Sequence, residues 1–193
     1  MMPNILFLPF ALLASQLTAA PLSSPTIDQG AIDKRTLSSL IDDTIKDVIN
    51  NVVNSTNSLE TAVLGWSGKV EDTAPILAGS NSLLKAIQTG TAKVSNADDL
   101  SLVGLLGILT PTISLNKAVA GVADALIEKK TQADAAGLTA VVLGQLQDQR
   151  KAAQSLVDTL LTKLPSLTES LGKILASPSL KSLAEAIDVY SGK

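Results

Sequence analysis

The chain has 193 residues, enough for one domain with a sizeable core. Apolar residues make up 46 % and charged residues 17 %, with a net charge of −3. The Lys and Arg residues are scattered, apart from Lys34-Arg35, Lys129-Lys130 and Arg150-Lys151, which argues against nucleic-acid binding. With no Cys and no His, disulfides and triads built on those residues are excluded; no metal and no cofactor is expected.

Residues 1–20, MMPNILFLPFALLASQLTAA, read as a secretory signal peptide. Ile5–Ala14 is apolar and Thr18-Ala19-Ala20 supplies the small residues a signal peptidase needs, although no Lys or Arg precedes them. The apolar run is too short to cross a bilayer, which takes ~20 residues. Residues 21–35 are a polar pro-segment ending in the dibasic pair Lys34-Arg35. That pair is either a processing site, leaving Thr36 as the mature start, or two solvated charges before a helix.

From residue 36 to 193 the helical period dominates and the expected fold is all-α: an antiparallel up-and-down bundle of five helices. Helix 1 is expected over 36–64, with Leu37, Ile41, Ile45, Val48, Val52, Leu59 and Val63 on one stripe. Its opposite face carries Asn54 of the sequon Asn54-Ser55-Thr56, a candidate glycosylation site. Gly65-Trp66-Ser67-Gly68 breaks the pattern; Trp66 is either a loop aromatic folded over the bundle end or a lid on a pocket mouth.

Helix 2 is expected over 69–95, with Ile76, Leu77, Leu83, Leu84 and Ile87 inward and Pro75 in its first turn. Helix 3 is expected over 98–135. Leu100–Asn116 carries no charge, yet Gly104, Gly107 and Pro111 make it a poor membrane span and no transmembrane segment is expected. Pro111 should kink or divide the helix. Leu115, Val119, Val122 and Leu126 form one face and Leu109, Ile113, Ala120 and Ile127 another, so this helix should lie sandwiched between neighbours.

Helix 4 is expected over 138–164, with Leu138, Val142, Leu146, Ala153, Leu156 and Leu160 as its stripe and Pro165 as its stop. Helix 5 is expected over 166–189, with Leu167, Leu171, Ile174, Leu175, Leu180, Leu183 and Ile187 inward and a bend at Pro178. The chain closes on IDVYSGK without an apolar stretch, so a released protein rather than a glycolipid-anchored one is expected.

No reaction centre stands out. GWSGKV has the wrong spacing for a phosphate-binding loop, and Val70 stands where a hydroxyl is needed. Asp42-Asp43, Glu71-Asp72 and Asp98-Asp99 each sit near a helix start, where the dipole favours them. The informative residues are polar ones on apolar faces. Gln149, in the middle of helix 4's stripe, either hydrogen-bonds a neighbouring helix or anchors a ligand headgroup; Thr56 and Ser101 are weaker candidates.

An aliphatic bundle with few rings can leave a slot between its helices. The candidate lining is Ile45, Val48, Val52 and Thr56 from helix 1 and Leu84 and Ile87 from helix 2. Helix 3 adds Ser101, Leu105, Leu115, Val119, Val122 and Leu126, and helix 4 adds Val142, Leu146, Gln149 and Leu156.

The stretches ETAVLGW, LLKAIQTG, LIEKKTQADAAG and TAVVLGQLQDQRKAAQSLVDTLLTKLP, in this order after a secretory signal, resemble the fungal hydrophobic surface-binding protein A family, with its cell-wall galactomannoprotein lipid-binding modules. The likeness covers about residues 37–187 and rests on helix order, spacing and composition. It implies a five-helix bundle that adsorbs to hydrophobic surfaces and, in the galactomannoprotein branch, encloses fatty acids. The expected protein is therefore secreted and non-enzymatic. Its expected partners are long-chain fatty acids or other lipids, hydrophobic surfaces and the cell wall, and a monomer is expected. The alternatives are a structural wall protein without ligand and a lipid or polyester hydrolase.

Overall fold

The computed structural model describes residues 29–193, with side chains from Asp43 onward. The expected signal peptide and the pro-segment up to residue 28 lie outside the described residues, as do the side chains of Lys34, Arg35, Leu37 and Ile41. Among the described residues all regular structure is helical. The helices are α1 (Gln29–Leu64), α2 (Ala74–Ser95), α3 (Leu102–Glu128), α4 (Lys130–Ala135), α5 (Thr139–Thr162) and α6 (Glu169–Ser191). Single 3-10 turns precede α2, at Val70–Thr73, and α6, at Ser166–Thr168.

Local chemistry sets the boundaries. α1 buries Ile45, Val48, Ile49, Val52, Thr56, Leu59 and Val63, three or four residues apart, and leaves Asn54 exposed. Its backbone is helical from Gln29, upstream of the expected start at Thr36. The expected third helix is shorter at its start and interrupted near its end. Ser101 Oγ accepts the Gly104 N–H at 2.9 Å and so caps α3 after the Asp98-Asp99 turn. Lys129 then separates α3 from the six-residue α4. Gly137, at φ +71°, closes α4: its N–H reaches Asp134 O and the Leu138 N–H reaches Ala133 O, the pairing of a Schellman cap.

Helix contacts close into a ring. α1 packs on α2 and α3, α3 on α6, α6 on α5, and α5 on α2. α3 thus lies chiefly between α1 and α6 rather than beside α2 or α5, the long helices next to it in sequence. Val63, Ile76, Leu126, Val142 and Tyr190 share one level of the interior, and Val52, Ile87, Val119, Leu156 and Leu180 share another. Three side chains tie α3 to α6: Asn116 Nδ2 donates to Leu175 O at 2.8 Å, Ser179 Oγ donates to Asn116 Oδ1, and the Tyr190 hydroxyl donates to Leu126 O. Leu175 lies in the turn before Pro178, where the ladder lacks an N–H.

Some expected core residues face outward. Leu167, in the 3-10 turn before α6, is 95 % exposed, Leu171 and Ile174 of α6 are 43 % and 69 % exposed, and Leu77 and Ile113 are also exposed. The cause in α6 is a close approach. A Cβ on Gly172 would lie 2.4 Å from Leu164 Cδ1, so the glycine, not its leucine neighbour, faces the end of α5. The first turns of α3 present Leu102, Val103 and Leu106 to solvent, so this helix is not sandwiched along its whole length. Among the described residues α3 is long and apolar enough to cross a bilayer by length and composition, and a third of its most apolar window is buried.

Two glycines give opposite expectations. A Cβ on Gly90 would stand 2.7 Å from Val48 Cγ1, whereas one on Gly107 meets nothing within 4 Å. Gly90→Leu is expected to destabilise by about 2 kcal/mol or more through overpacking against a β-branched side chain. Gly107→Ala should stabilise by up to about 1 kcal/mol through helix propensity. Urea unfolding followed by circular dichroism measures both.

Candidate functional site

Five helices in a ring leave more space at the centre than four. With axes 8–10 Å apart and helix radii of 5–6 Å, the middle retains a gap of roughly 2–3 Å radius unless large side chains fill it. Here the inward residues are mostly Val, Leu, Ile, Ala and Thr. The result is an apolar cavity of about 90 Å³ with walls from all five long helices. Val52 and Thr56 come from α1, Leu83 and Ile87 from α2, Leu115, Val119 and Val122 from α3, Gln149, Ala153 and Leu156 from α5, and Ala176, Leu180 and Leu183 from α6.

Besides the hydroxyls of Thr56, Thr112 and Ser179, one amide borders this space from within the apolar stripe of α5. Gln149 is 3 % exposed; its Nε2 donates to Ser80 Oγ at 2.8 Å, and Ser80 Oγ donates to Gln145 Oε1 at 2.5 Å. This relay joins α5 to α2 and runs outward, from a buried amide to a half-buried one. It meets the cost of burying Gln149, about 1–3 kcal/mol if left unbonded. Thr56 returns its hydroxyl to Val52 O at 2.8 Å, the alternative open to any helical threonine.

Beyond Gln149 the interior continues toward the other end of the ring. A cavity of about 50 Å³ lined by Leu59, Ile76, Leu146 and Gln149 adjoins one of about 60 Å³ lined by Val63, Trp66, Leu126, Lys129, Val142 and Tyr190. Trp66 is buried there, its Nε1 donating to Lys69 O at 2.7 Å, and Lys129 Nζ donates to Trp66 O at 3.2 Å. The Tyr190 hydroxyl donates to Leu126 O at 2.8 Å, and Lys130 Nζ lies 5.5 Å from the Tyr190 ring centroid. The Lys130 ammonium, 2.5 Å from Asp134, and the Thr139 hydroxyl hold the Asp134 carboxyl below its usual range. A larger hollow, about 660 Å³, is an open groove over Arg150, Lys151 and Asp158 that gives an alkyl chain little to bury against.

With this geometry, residues 43–162 match the family described as hydrophobic surface binding protein A. The chain belongs to that family. Among curated relatives, cell wall mannoprotein 1 of Aspergillus fumigatus is 29 % identical over 143 residues, covering 74 % of this chain and 50 % of the relative. The chain thus spans about half the length of the first curated relatives it matches. Among solved structures, ligand binding domain 1 of the Penicillium marneffei MP1 protein, complexed with arachidonic acids, superposes with a TM-score of 0.73 at 26 % identity. That match covers 76 % of this chain and 96 % of the domain. Ligand binding domain 2 of the same protein, complexed with multiple arachidonic acids, gives 0.74 at 25 % identity, covering 78 % and 96 %.

In this family member, half of the lining expected from sequence meets at the central cavity: Val52, Thr56, Ile87, Leu115, Val119, Val122, Gln149 and Leu156. Leu126, Val142 and Leu146 border the two cavities toward Trp66. Ile45 and Leu105 are buried in the core away from these spaces, Val48 faces a surface groove beside Gly90, and Leu84 is half-buried. Ser101 is exposed at the α3 N-cap, its hydroxyl taken by Gly104, and lines no cavity. The candidate lining includes no residue of the α6 wall, Ala176, Ser179, Leu180 and Leu183, although Leu180 and Leu183 are expected inward, and it lacks Ser80. Ser80 shares a stripe with Ile76, Leu83 and Ile87, a spacing that marks it as inward-facing.

The relay and the tyrosine generate two expectations. Ser80→Ala should cost about 1–3 kcal/mol by stranding the Gln149 amide, and adding Gln149→Leu should recover part of that loss in urea unfolding. Burial, and secondarily the Asp134 charge, pushes the Tyr190 hydroxyl up to about 12. The unfolded tyrosine titrates near 10. The neutral phenol's contribution is therefore complete below pH 10 and lost as pH rises through 12. Tyr190→Phe should flatten the decline of the urea midpoint between pH 10 and 12 relative to the parent.

Proposed function

We propose that this protein is a secreted binder of long-chain fatty acids and hydrophobic surfaces, acting by burial rather than catalysis. The observation that carries the reading is the apolar cavity walled by all five long helices and bordered by one buried amide, Gln149. The arachidonic acids held by the two MP1 domains support it, since those folds superpose on this one. Burying sixteen carbons is worth roughly 12 kcal/mol gross at about 0.8 kcal/mol per methylene, against association costs of ~4–15 kcal/mol. The headgroup then sets orientation more than affinity.

The reading includes an architecture and a motion. The five long helices form an antiparallel up-and-down bundle, supported by the shared interior levels, with α3 bent at Pro111. At about 90 Å³ the central space is smaller than the ~150 Å³ cavity that holds benzene. Loading an acyl chain therefore requires the helices to spread. α6 is suited to yield, because Pro178 interrupts its ladder. Binding is favoured over hydrolysis by what surrounds the two buried hydroxyls beside the interior: Ser80 faces two amides and Thr56 a backbone carbonyl, and neither partner serves as a general base.

A second mode is favoured by the outward apolar residues. Leu102, Val103 and Leu106 on α3, Ile174 on α6 and Leu167 in the turn leading into α6 are exposed at the starts of two helices that pack together. That face suits adsorption to an aliphatic surface. A glycan on Asn54, cleavage after Arg35, a monomeric state and residence at the cell wall complete the proposal.

Native mass spectrometry of the secreted protein tests the carrier mode. The parent should retain palmitate in a fixed ratio, and Ala153→Phe, which fills the central cavity, should reduce its retention about tenfold or more while helicity persists. Leu106→Glu with Leu167→Glu should leave that ratio unchanged and lower adsorption to alkyl-coated beads. Absence of retained lipid in the parent overturns the carrier reading.

A further inference from the structure

We infer that the interior between Trp66 and Tyr190 is a separate acyl site, with Lys129 as the counter-ion of a free carboxylate. The inference rests on the reading that the interior takes alkyl chains, and names the headgroup one end of it selects.

Lys129 is half-buried and borders an apolar cavity of about 60 Å³. An ammonium carries three donors. One is engaged by Trp66 O at 3.2 Å, and among the described residues no carboxylate forms an ion pair with Lys129. Its neighbour Lys130 is committed to Asp134. A cation at the edge of an apolar space is costly until an anion joins it, and a carboxylate supplies charge-assisted bonds that an ester or alcohol does not.

The lining suits the rest of such a molecule, although at about 60 and 50 Å³ the two cavities at this end, like the central one, admit an alkyl chain only when the helices spread. Leu77 and Val141 line it and are 41 % and 47 % exposed, which puts an apolar mouth on the seam between α2 and α5. Ile76, Leu126 and Val142 continue it into the small cavity that ends on Gln149. From Leu138, at the N-cap of α5, to Gln149 is a rise of eleven residues, about 16 Å at 1.5 Å per residue. One acyl tail spans about 15 Å, half of a bilayer's hydrocarbon core. A tail anchored at Lys129 runs along this span toward the Gln149–Ser80 relay, which separates this site from the central cavity.

Trp66, the single tryptophan, reports this end directly. The intact secreted protein is titrated with palmitate and with methyl palmitate while Trp66 emission is followed. Palmitate should shift the emission, and methyl palmitate should do so about tenfold more weakly. Lys129→Met should weaken palmitate about tenfold, to the level of the ester, and leave the ester unchanged, while Lys129→Arg keeps the preference for the acid. Equal responses to acid and ester in the parent overturn the inference, and that comparison needs no variant to fold. So does a helical Lys129→Met protein that still prefers the acid. Palmitate retained in native mass spectra with a silent Trp66 defeats this site and leaves the proposed function standing; no retained palmitate defeats both.

Discussion

The middle of a five-membered helix ring is too wide for short aliphatic side chains to fill, and the rest of this molecule follows from that. A four-helix core closes on interdigitated leucines; a fifth helix moves every axis outward. Large rings could take up the slack, but Trp66 and Tyr190 both sit at one end, leaving the centre to Val, Leu, Ile, Ala and Thr. An unfilled apolar space forgoes dispersion contacts along its lining. The same deficit is what an alkyl chain relieves, so loss of packing and capacity for ligand have a single origin.

The Gln149–Ser80–Gln145 relay gives that space internal structure. Three polar side chains from two helices satisfy one another in the midst of an apolar stripe. They stitch α2 to α5 along a seam that is otherwise held by non-directional contacts, and they divide a long interior into a central cavity and an end that opens between Leu77 and Val141. Asn116 does comparable work between α3 and α6, reaching the carbonyl that precedes the break at Pro178. Specific polar stitches are a means of keeping helices in register when the core itself is loosely filled.

Without disulfides, the ring is held by side-chain packing and these few bonds. The outward leucines at the starts of α3 and α6 place greasy surface at one end of the ring, on helices that also wall the central cavity. The proposed enclosure of a chain and the proposed adsorption to a surface therefore share α3 and α6.

The helices and much of their inward lining could be read from spacing alone. Period-3.6 stripes placed Val52, Val119, Val122 and Leu156 inward, and Gln149 stood out as an amide where an aliphatic residue belonged. Helix faces are local properties, dictated by which residues recur every three or four positions. The α6 wall, the identity of Ser80 as Gln149's partner and the outward turn of Leu171 and Ile174 were decided only by tertiary packing. Each depends on which helix approaches which, and at what distance: Gly172 faces the Leu161 and Leu164 side chains at the end of α5, whose tips would have to shift to admit a Cβ. Likewise, Lys129 is an unremarkable charge in the linear chain, and it becomes a cation beside an apolar cavity, with no carboxylate partner among the described residues, only when Trp66 folds against it from the end of another helix.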